Sequence, residues 1–409
     1  MATKKKQQQI STEEPSQIAE PQTAEETTLT VQSAYKPPSK ALAMLRKMEG
    51  FVAEHVDPTT NVMRGCTPAV RYIFGKGGGL PYGFTAAVYG PAKSGKSLLC
   101  AAMVGQMHKD DPESVCLYFS TEGRFSLQVT DETMGMFGID KKRIFAVENN
   151  SPTIFDFIEQ EVPSMIQEGM KIRCIVIDSA NAIRGLRDMN AESVEKNQIG
   201  DEAMTLKKGL NRIANTIRKY KIAVLIINQA RAEMDPAEQM RGNVIRMAAA
   251  NPVKHFCEYF ILVQRVLSKA GKANLLGESF ENAAEEITAH RIKVTNKDAS
   301  VGYGIGRVGY VTIDYRKGFI NQHEEIFEIA NTVGIIGNDG GSWLRYKDRR
   351  FQGKAACLKA IQEDAELAKS IQADLLERDS SDEGASAATA MAVEKQERQE
   401  SDDVFELED

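Results

Sequence analysis

The segment that most restricts what this chain can fold into is Gly90-Pro91-Ala92-Lys93-Ser94-Gly95-Lys96-Ser97. It fits the pattern G-x-x-x-x-G-K-[ST], and its flanks are those the pattern requires. Thr85–Tyr89 reads as a strand and Ser97–His108 as a helix. A loop between a strand end and a helix N-terminus aims backbone N–H groups at an anion, and the helix dipole adds to the attraction. The expected ligand is the phosphate chain of a nucleotide. Gly90, Ser94 and Gly95 would form the cradle, Lys96 would reach the β- and γ-phosphates, and Ser97 would hold Mg²⁺. A chance glycine turn would explain the glycines alone, without the strand before them and the helix after.

Apolar runs then recur at Val115–Ser120, Cys174–Asp178, Ala223–Asn228 and Tyr259–Gln264, several of them separated by helical patterns. This predicts an α/β fold with a mostly parallel, buried sheet covered by helices. Three strand ends carry polar groups suited to nucleotide chemistry. Asp178 closes an apolar strand, as a second carboxylate organising Mg²⁺ would. Glu122, in Ser120-Thr121-Glu122, can orient an attacking water; the alternative is a solvated loop acid. Gln229, in Asn228-Gln229, can sense the γ-phosphate and pass the signal to the loop that follows; the alternative is an amide that satisfies strand-end backbone groups.

The 409 residues, 42% of them hydrophobic, allow a large core with appended pieces. Residues 1–38 are rich in Gln, Glu, Thr, Ser and Pro and are predicted to be disordered. Residues 39–64 are expected to hold an oligomerisation helix, Lys40–Glu54, with Leu42, Leu45, Met48 and Val52 on one face, and a linker. Residues 65–319 form the core, and 320–378 a small helical C-terminal domain with a polar interruption near Gly337–Gly341. Residues 379–409 read as a disordered acidic tail. That tail holds eleven acids against Lys395 and Arg398, a net of -9, and residues 1–39 carry a net of -1. With a total of -6, residues 40–378 are left at +4. A mildly basic body with an acidic tail suits a binder of polyanions; a merely solubilising tail is the alternative. No apolar stretch is long enough to span a bilayer. The basic start has no apolar stretch behind it, unlike a secretory signal. The six cysteines are scattered without a CxxC pair, which suits reduced core thiols and a cytoplasmic setting, bacterial or in a phage-infected host.

Further segments carry a family resemblance. Gly77-Gly78-Gly79-Leu80-Pro81-Tyr82-Gly83 looks like a GGLPxG segment, and Ile226-Ile227-Asn228-Gln229-Ala230-Arg231 like INQxR. Trp343-Leu344-Arg345-Tyr346-Lys347 with Gln352-Gly353-Lys354 is similar to WYxYxG…GQGK. In this order the chain resembles the RecA family of recombinases over about residues 40–378, and within it the UvsX-type members of bacteriophages. The resemblance implies a RecA-type phosphate-loop ATPase core, ATP and Mg²⁺ as cofactors, and ATP hydrolysis coupled to DNA strand exchange in helical filaments on single-stranded DNA. It implies that Glu122 is the catalytic glutamate. Arg291–Lys297 resembles the segment whose lysines reach the next subunit's ATP; here the pair is reduced to Lys297, with Thr295 at the other position. Tyr315 matches a tyrosine that stacks on the base. The family's adenine contacts are not recognisable near Ser126–Val129.

Two segments without clear periodicity, about Ala182–Gly200 and Ala230–Val253, follow nucleotide-contacting strand ends and are expected to be DNA-binding loops ordered by the γ-phosphate. Arg231, Arg241, Arg246, Asn251 and Lys254, with Lys207, Lys208 and Arg212 on the preceding helix, are the candidate DNA contacts. Met234, Met240, Ile245 and Met247 are candidate wedges between bases. The alternative is a solvated loop whose acids, Glu233, Asp235 and Glu238, offset its charge. Expected partners are single-stranded DNA, homologous duplex DNA, further copies of the chain, and single-strand-binding and mediator proteins. Two rival readings are a hexameric helicase or other ring motor with the same core, and a mediator that exchanges no strands.

Overall fold

The computed structural model describes residues 40, 43, 44, 47, 57–185, 200–236, 240, 245–248, 250–266, 289–314 and 316–380. The chain divides into two units, Met1–Ala53 and Glu54–Asp409. In the first, Lys40, Ala43 and Met44 are helical and the Lys47 N–H donates to the Met44 carbonyl. The remainder of the expected Lys40–Glu54 helix lies outside the described residues, as do residues 1–38 and 381–409.

The second unit opens with β1 (Val62–Arg64), α1 (Pro68–Phe74), β2 (Gly79–Pro81), β3 (Thr85–Gly90) and α2 (Lys96–Asp110). Next come β4 (Val115–Ser120), α3 (Phe125–Gln128), α4 (Asp131–Phe137), β5 (Ile144–Val147), α5 (Thr153–Gln167) and β6 (Ile172–Asp178). After α6 (Asp201–Tyr220) follow β7 (Ala223–Ala232), β8 (Ile245–Met247), α7 (Ala250–Lys254), β9 (Tyr259–Arg265), β10 (Ala289–Ala299), β11 (Val308–Asp314) and β12 (Gly318–Ile320). The C-terminal part holds α8 (Gln322–Thr332), β13 (Gly337–Asn338), β14 (Trp343–Tyr346), β15 (Arg349–Gln352), α9 (Gly353–Glu363) and α10 (Ala365–Ser380).

The main sheet runs β12-β11-β10-β9-β3-β7-β6-β4-β5, with β8 paired to β7. From β9 to β5 neighbouring strands are parallel; from β9 to β12 they are antiparallel. Strand periodicity explains why the inner strands read as unbroken apolar runs. Cys116 and Tyr118 of β4, Cys174 and Val176 of β6, and Leu225 and Ile227 of β7 face one core with Leu99 and Met103 of α2. Their neighbours Leu117, Phe119, Ile175, Ile177, Val224 and Ile226 face a second core with Ile158 of α5 and Leu210 and Ile213 of α6. Both faces being covered, the alternation of outward polar residues is lost.

Three expectations need correction. Residues 320–378 are not helical throughout: β13, β14 and β15 form an antiparallel sheet. Trp343 and Arg345 are exposed while Tyr346 is buried, a two-residue period, and Lys347, with φ 51°, turns the chain back into β15. The acidic-tail boundary at 379 falls inside α10, where the Asp379 carboxylate sits 2.7 Å from the buried Arg307 guanidinium. The segment Ala230–Val253 is structured at both ends. Ala230–Ala232 pairs with Ile245–Met247, and α7 follows. Residues 186–199 of the other expected loop lie outside the described residues; a 3₁₀ turn, Ala180–Ala182, leads into it. Among the described residues, no helix is long and apolar enough to cross a membrane.

Candidate nucleotide site

Four adjacent strands come level at one edge, where β3, β6 and β4 end and β7 runs on past Gln229. In the parallel register Gly90 stands beside Gln229, Asp178 beside Ser120, and Ile227 beside Asp178. The phosphate loop and the ends of β7, β6 and β4 therefore open together at the carboxyl edge of the sheet, where α/β folds take their ligands.

Gly90 needs its missing side chain, because a Cβ there would lie 2.0 Å from the Val263 carbonyl oxygen of β9. Gly95 caps α2 in the left-handed region, with φ 95°. Lys96 is buried. Its Nζ donates to the Gly90 carbonyl at 3.0 Å and the Pro91 carbonyl at 2.7 Å. Burial lowers its pKa, while the Asp178 and Glu122 carboxylates pull the other way. Ser94 Oγ is buried and finds no hydrogen-bond partner among the described residues. A glycine-shaped loop, an enclosed ammonium and a spare hydroxyl at a helix N-terminus fit a polyphosphate.

Ser97, on the first turn of α2, neighbours Asp178, and its hydroxyl helps to hold that carboxyl's pKa down. Two hard oxygen donors beside a phosphate cradle fit Mg²⁺, which keeps a shell of phosphate oxygens and water and needs few protein ligands. Asp178 is 3% exposed. Burial raises its pKa, opposed first by the Tyr118 hydrogen bond and then by that of Ser97. The Tyr118 hydroxyl donates to Asp178 Oδ2 at 2.7 Å. Burial, with the carboxylate beside it, raises the pKa of that phenol well above its ordinary value, so it remains a donor.

Glu122 is tied to both neighbouring strand ends. Its Oε1 accepts from Ser179 Oγ at 2.7 Å and from Gln229 Nε2 at 3.4 Å, and Arg124 lies 3.7 Å from its Oε2. The Thr121 hydroxyl donates to the Ser179 carbonyl at 2.6 Å, and the Thr121 N–H to the Asp178 carbonyl at 2.8 Å. Gln229 in turn is fastened through its backbone to the residue that follows β8. Its carbonyl accepts from the Ala248 N–H at 2.8 Å, and the buried Asn228 side chain donates to the Ala248 carbonyl at 2.7 Å.

The structure thus brings together Gly90, Ser94, Gly95, Lys96, Ser97, Asp178, Glu122 and Gln229. Lys297 lies elsewhere, exposed at a bulge of β10 between Asn296 and Asp298. Tyr315 lies outside the described residues. Among the polyanion candidates, Lys207 and Lys208 are exposed on α6, and Lys254 is exposed at the end of α7. Arg212 is engaged within the fold: its Nε donates to Glu159 at 2.8 Å, and Asp156 takes another nitrogen. Arg231 and Arg246 are exposed and directly opposite each other in the β7–β8 ladder. Like charges in that position repel. Asn251 belongs to α7, and Arg241 lies outside the described residues. Met247 is core, not a wedge, whereas Met234 and Met240 are exposed.

Sequence reading missed Tyr118, Ser179 and Arg124. The signal for Tyr118 was a phenol in an otherwise apolar buried strand, since a buried hydroxyl must find a partner.

The fold and this edge of the sheet define a phosphate-loop nucleotide-binding domain. Residues 52–304, more than half of the chain, match the RecA N-terminal domain. The chain belongs to the RecA family. It is 22% identical to Protein RecA of Wolinella succinogenes over 303 residues, covering 73% of this chain and 78% of that protein. It is 26% identical to Protein RecA of Mycoplasma genitalium over 296 residues, 72% and 79% of the two chains. Protein RecA 2 of Myxococcus xanthus is 23% identical over 305 residues, 74% and 76%.

Proposed function

We propose that this chain is an ATP-driven DNA recombinase that assembles on single-stranded DNA as a helical filament and exchanges strands with a homologous duplex, for recombination, recombination-dependent replication or repair. We place it with the UvsX-type phage members, working in the cytoplasm of an infected cell with single-strand-binding and mediator proteins. One observation carries the reading. Gln229 reaches Glu122 by its side chain, while its own strand continues into the hairpin bearing Arg231 and Arg246. A residue at the hydrolytic carboxylate is thereby continuous with a surface suited to phosphates.

Bound Mg²⁺–ATP supplies the γ-phosphoryl group whose transfer to water drives the cycle. Lys96 and the loop amides would hold the phosphates, and Ser97 and Asp178 would hold the ion. Glu122 orients the attacking water through the oxygen it now shares with Ser179 and Gln229. Gln229 senses the γ-phosphate and passes the signal to the hairpin. Arg231, Arg246, Lys254, Lys207 and Lys208, with Arg241 and Asn251, track the DNA backbone; Arg212 joins them only on leaving its acids. Lys297 and Tyr315 serve the neighbouring subunit's nucleotide. Two features support polymerisation. Lys297 is exposed away from its own phosphate loop, and the outer strand β5 leaves Phe145 and Val147 exposed. Such an edge invites a covering partner, and a heterologous contact that does not close yields a helix.

The test is strand exchange between homologous DNAs with and without ATP, alongside electron microscopy on single-stranded DNA with a slowly hydrolysed ATP analogue. ATP-dependent exchange and open filaments are expected. Closed rings without exchange would instead make the protein a ring motor.

A further inference from the structure

The Tyr118 hydroxyl is almost entirely enclosed, and its recorded hydrogen bond goes to Asp178 Oδ2. The ring needs no hydroxyl for packing. It lies in the apolar core with Cys116, Cys174 and Val176, and a phenylalanine would fill the same space. Burying a hydroxyl is unfavourable unless a partner repays it, so the hydroxyl matters through Asp178 alone. Its aim is fixed. The ring packs against Phe125 at 4.9 Å between centroids, and the Phe125 N–H is held by Glu148 at 3.0 Å. Tyr118 also sits on β4, the strand that ends next to Glu122.

We propose that Tyr118 is a positioning residue for the Mg²⁺ site: by occupying Oδ2 it stops the Asp178 carboxylate from turning, so that Asp178 would be held in one orientation for the ion. The geometry supports this on three counts. The bond is short, both partners are buried, and they stand on adjacent strands whose register, Tyr118 beside Val176 and Ser120 beside Asp178, is locked by the parallel ladder. Hydrogen bonds to a metal-binding carboxylate orient it and set its strength as a ligand. The inference rests on the reading that Ser97 and Asp178 hold Mg²⁺ with the nucleotide.

The experiment uses the full-length chain and a fluorescent ATP analogue, titrated with Mg²⁺ and also measured in EDTA. It compares wild type, Tyr118→Phe, Asp178→Asn and the double variant. Tyr118→Phe is expected to need about tenfold more Mg²⁺ to reach half of the Mg²⁺-dependent gain in affinity, with affinity in EDTA unchanged. In the Asp178→Asn background the tyrosine change should add nothing, because its effect runs through that carboxylate. An unchanged Mg²⁺ midpoint in Tyr118→Phe overturns the proposal, and so do effects that multiply independently in the double variant. Loss of affinity in EDTA with the Mg²⁺ midpoint preserved also overturns it, since that is the signature of a merely structural role. If wild type itself gains no affinity from Mg²⁺, the nucleotide-site reading fails and the inference with it. A gain in wild type with an unmoved Tyr118→Phe sinks the inference alone.

Discussion

Glu325 on α8 is the clearest handle on how the C-terminal part is joined to the core. Its carboxyl is 3% exposed and accepts from the Ala69 N–H at 3.0 Å, at the first turn of α1. Burial pushes its pKa up to about 8; hydrogen bonds from Ala69 and Thr67 oppose that, and the neighbouring Glu328 adds to it. Glu328 is itself bound by Arg291 and approached by Lys354. The folded state therefore keeps a proton that an unfolded glutamate, at 4.5, gives up. The stabilisation is complete below the unfolded pKa and is lost as pH rises towards the folded value near 8. At about 1.4 kcal/mol per unit the displacement caps the loss at about 5 kcal/mol. An ionised carboxylate can draw α8 partly outward to water, so about 2–3 kcal/mol is the expected effect. Glu325→Gln keeps an acceptor for Ala69 and carries no charge, so its stability should not fall over this range for this reason. His108 and His290, each pulled down to about 4 by burial, act in the opposite sense below pH 6.5, so the informative quantity is the difference between the two proteins. Urea midpoints at pH 5, 6.5 and 8 measure it. The variant should be the more stable at pH 8, with a gap that widens from pH 5. Parallel pH profiles would refute the assignment of a neutral, buried Glu325.

Three other expectations follow from the site. Lys96→Ala should abolish ATP turnover, whereas Glu122→Gln should keep nucleotide affinity and lose about a hundredfold or more in kcat; wild-type turnover by Glu122→Gln removes that residue from the mechanism. Joint replacement of Arg231 and Arg246 by alanine should weaken single-stranded DNA binding evenly across sequences and reduce the salt slope by about 1.4, and an unchanged slope places the phosphate contacts elsewhere. Truncation after Ser380, which spares the Arg307–Asp379 pair, should raise duplex affinity at low salt because the removed acidic segment competes for basic surface; superimposed binding curves across a salt series would end that idea.

What could be read in advance follows from where the information lies in the chain. Lys96, Ser97, Asp178 and Glu122 were legible because each stands at or just past the end of a buried strand, Lys96 and Ser97 at the start of the helix that follows the phosphate loop, and such strands announce themselves as apolar runs. β4, Val115–Ser120, matches its sequence reading residue for residue. The antiparallel edge was harder. β14 and β15 are only four residues each and half exposed, so their alternation was lost within a segment read as helical. The partners of the site residues were out of reach for a different reason. Tyr118 meets Asp178, and Ser179 meets Glu122, through cross-strand register, which no local pattern encodes. Arg212 illustrates the converse: its charge reads as available, yet two acids of α5 hold it.

The register also determines how the site can communicate. The functional groups stand at three strand ends, Tyr118 and Glu122 with β4, Asp178 and Ser179 with β6, and Gln229 on β7, and side-chain bonds link them in turn: Tyr118 to Asp178, Ser179 to Glu122, Glu122 to Gln229. The strands themselves sit in a close-packed sheet with two covered faces and have little freedom to shift. The Gln229–Glu122 contact is the longest of the three, at 3.4 Å, and it joins the exposed Gln229 to the half-buried Glu122. On the proposed reading of the site, it is the contact expected to give way first when a competing acceptor arrives at the phosphate loop. Gln229 is also the member of the chain whose backbone holds Ala248, at the foot of the β7–β8 hairpin. The proposed signal would therefore run along β7, towards the paired arginines, rather than through β4 or β6, whose ends are pinned to each other by Thr121 and Ser179.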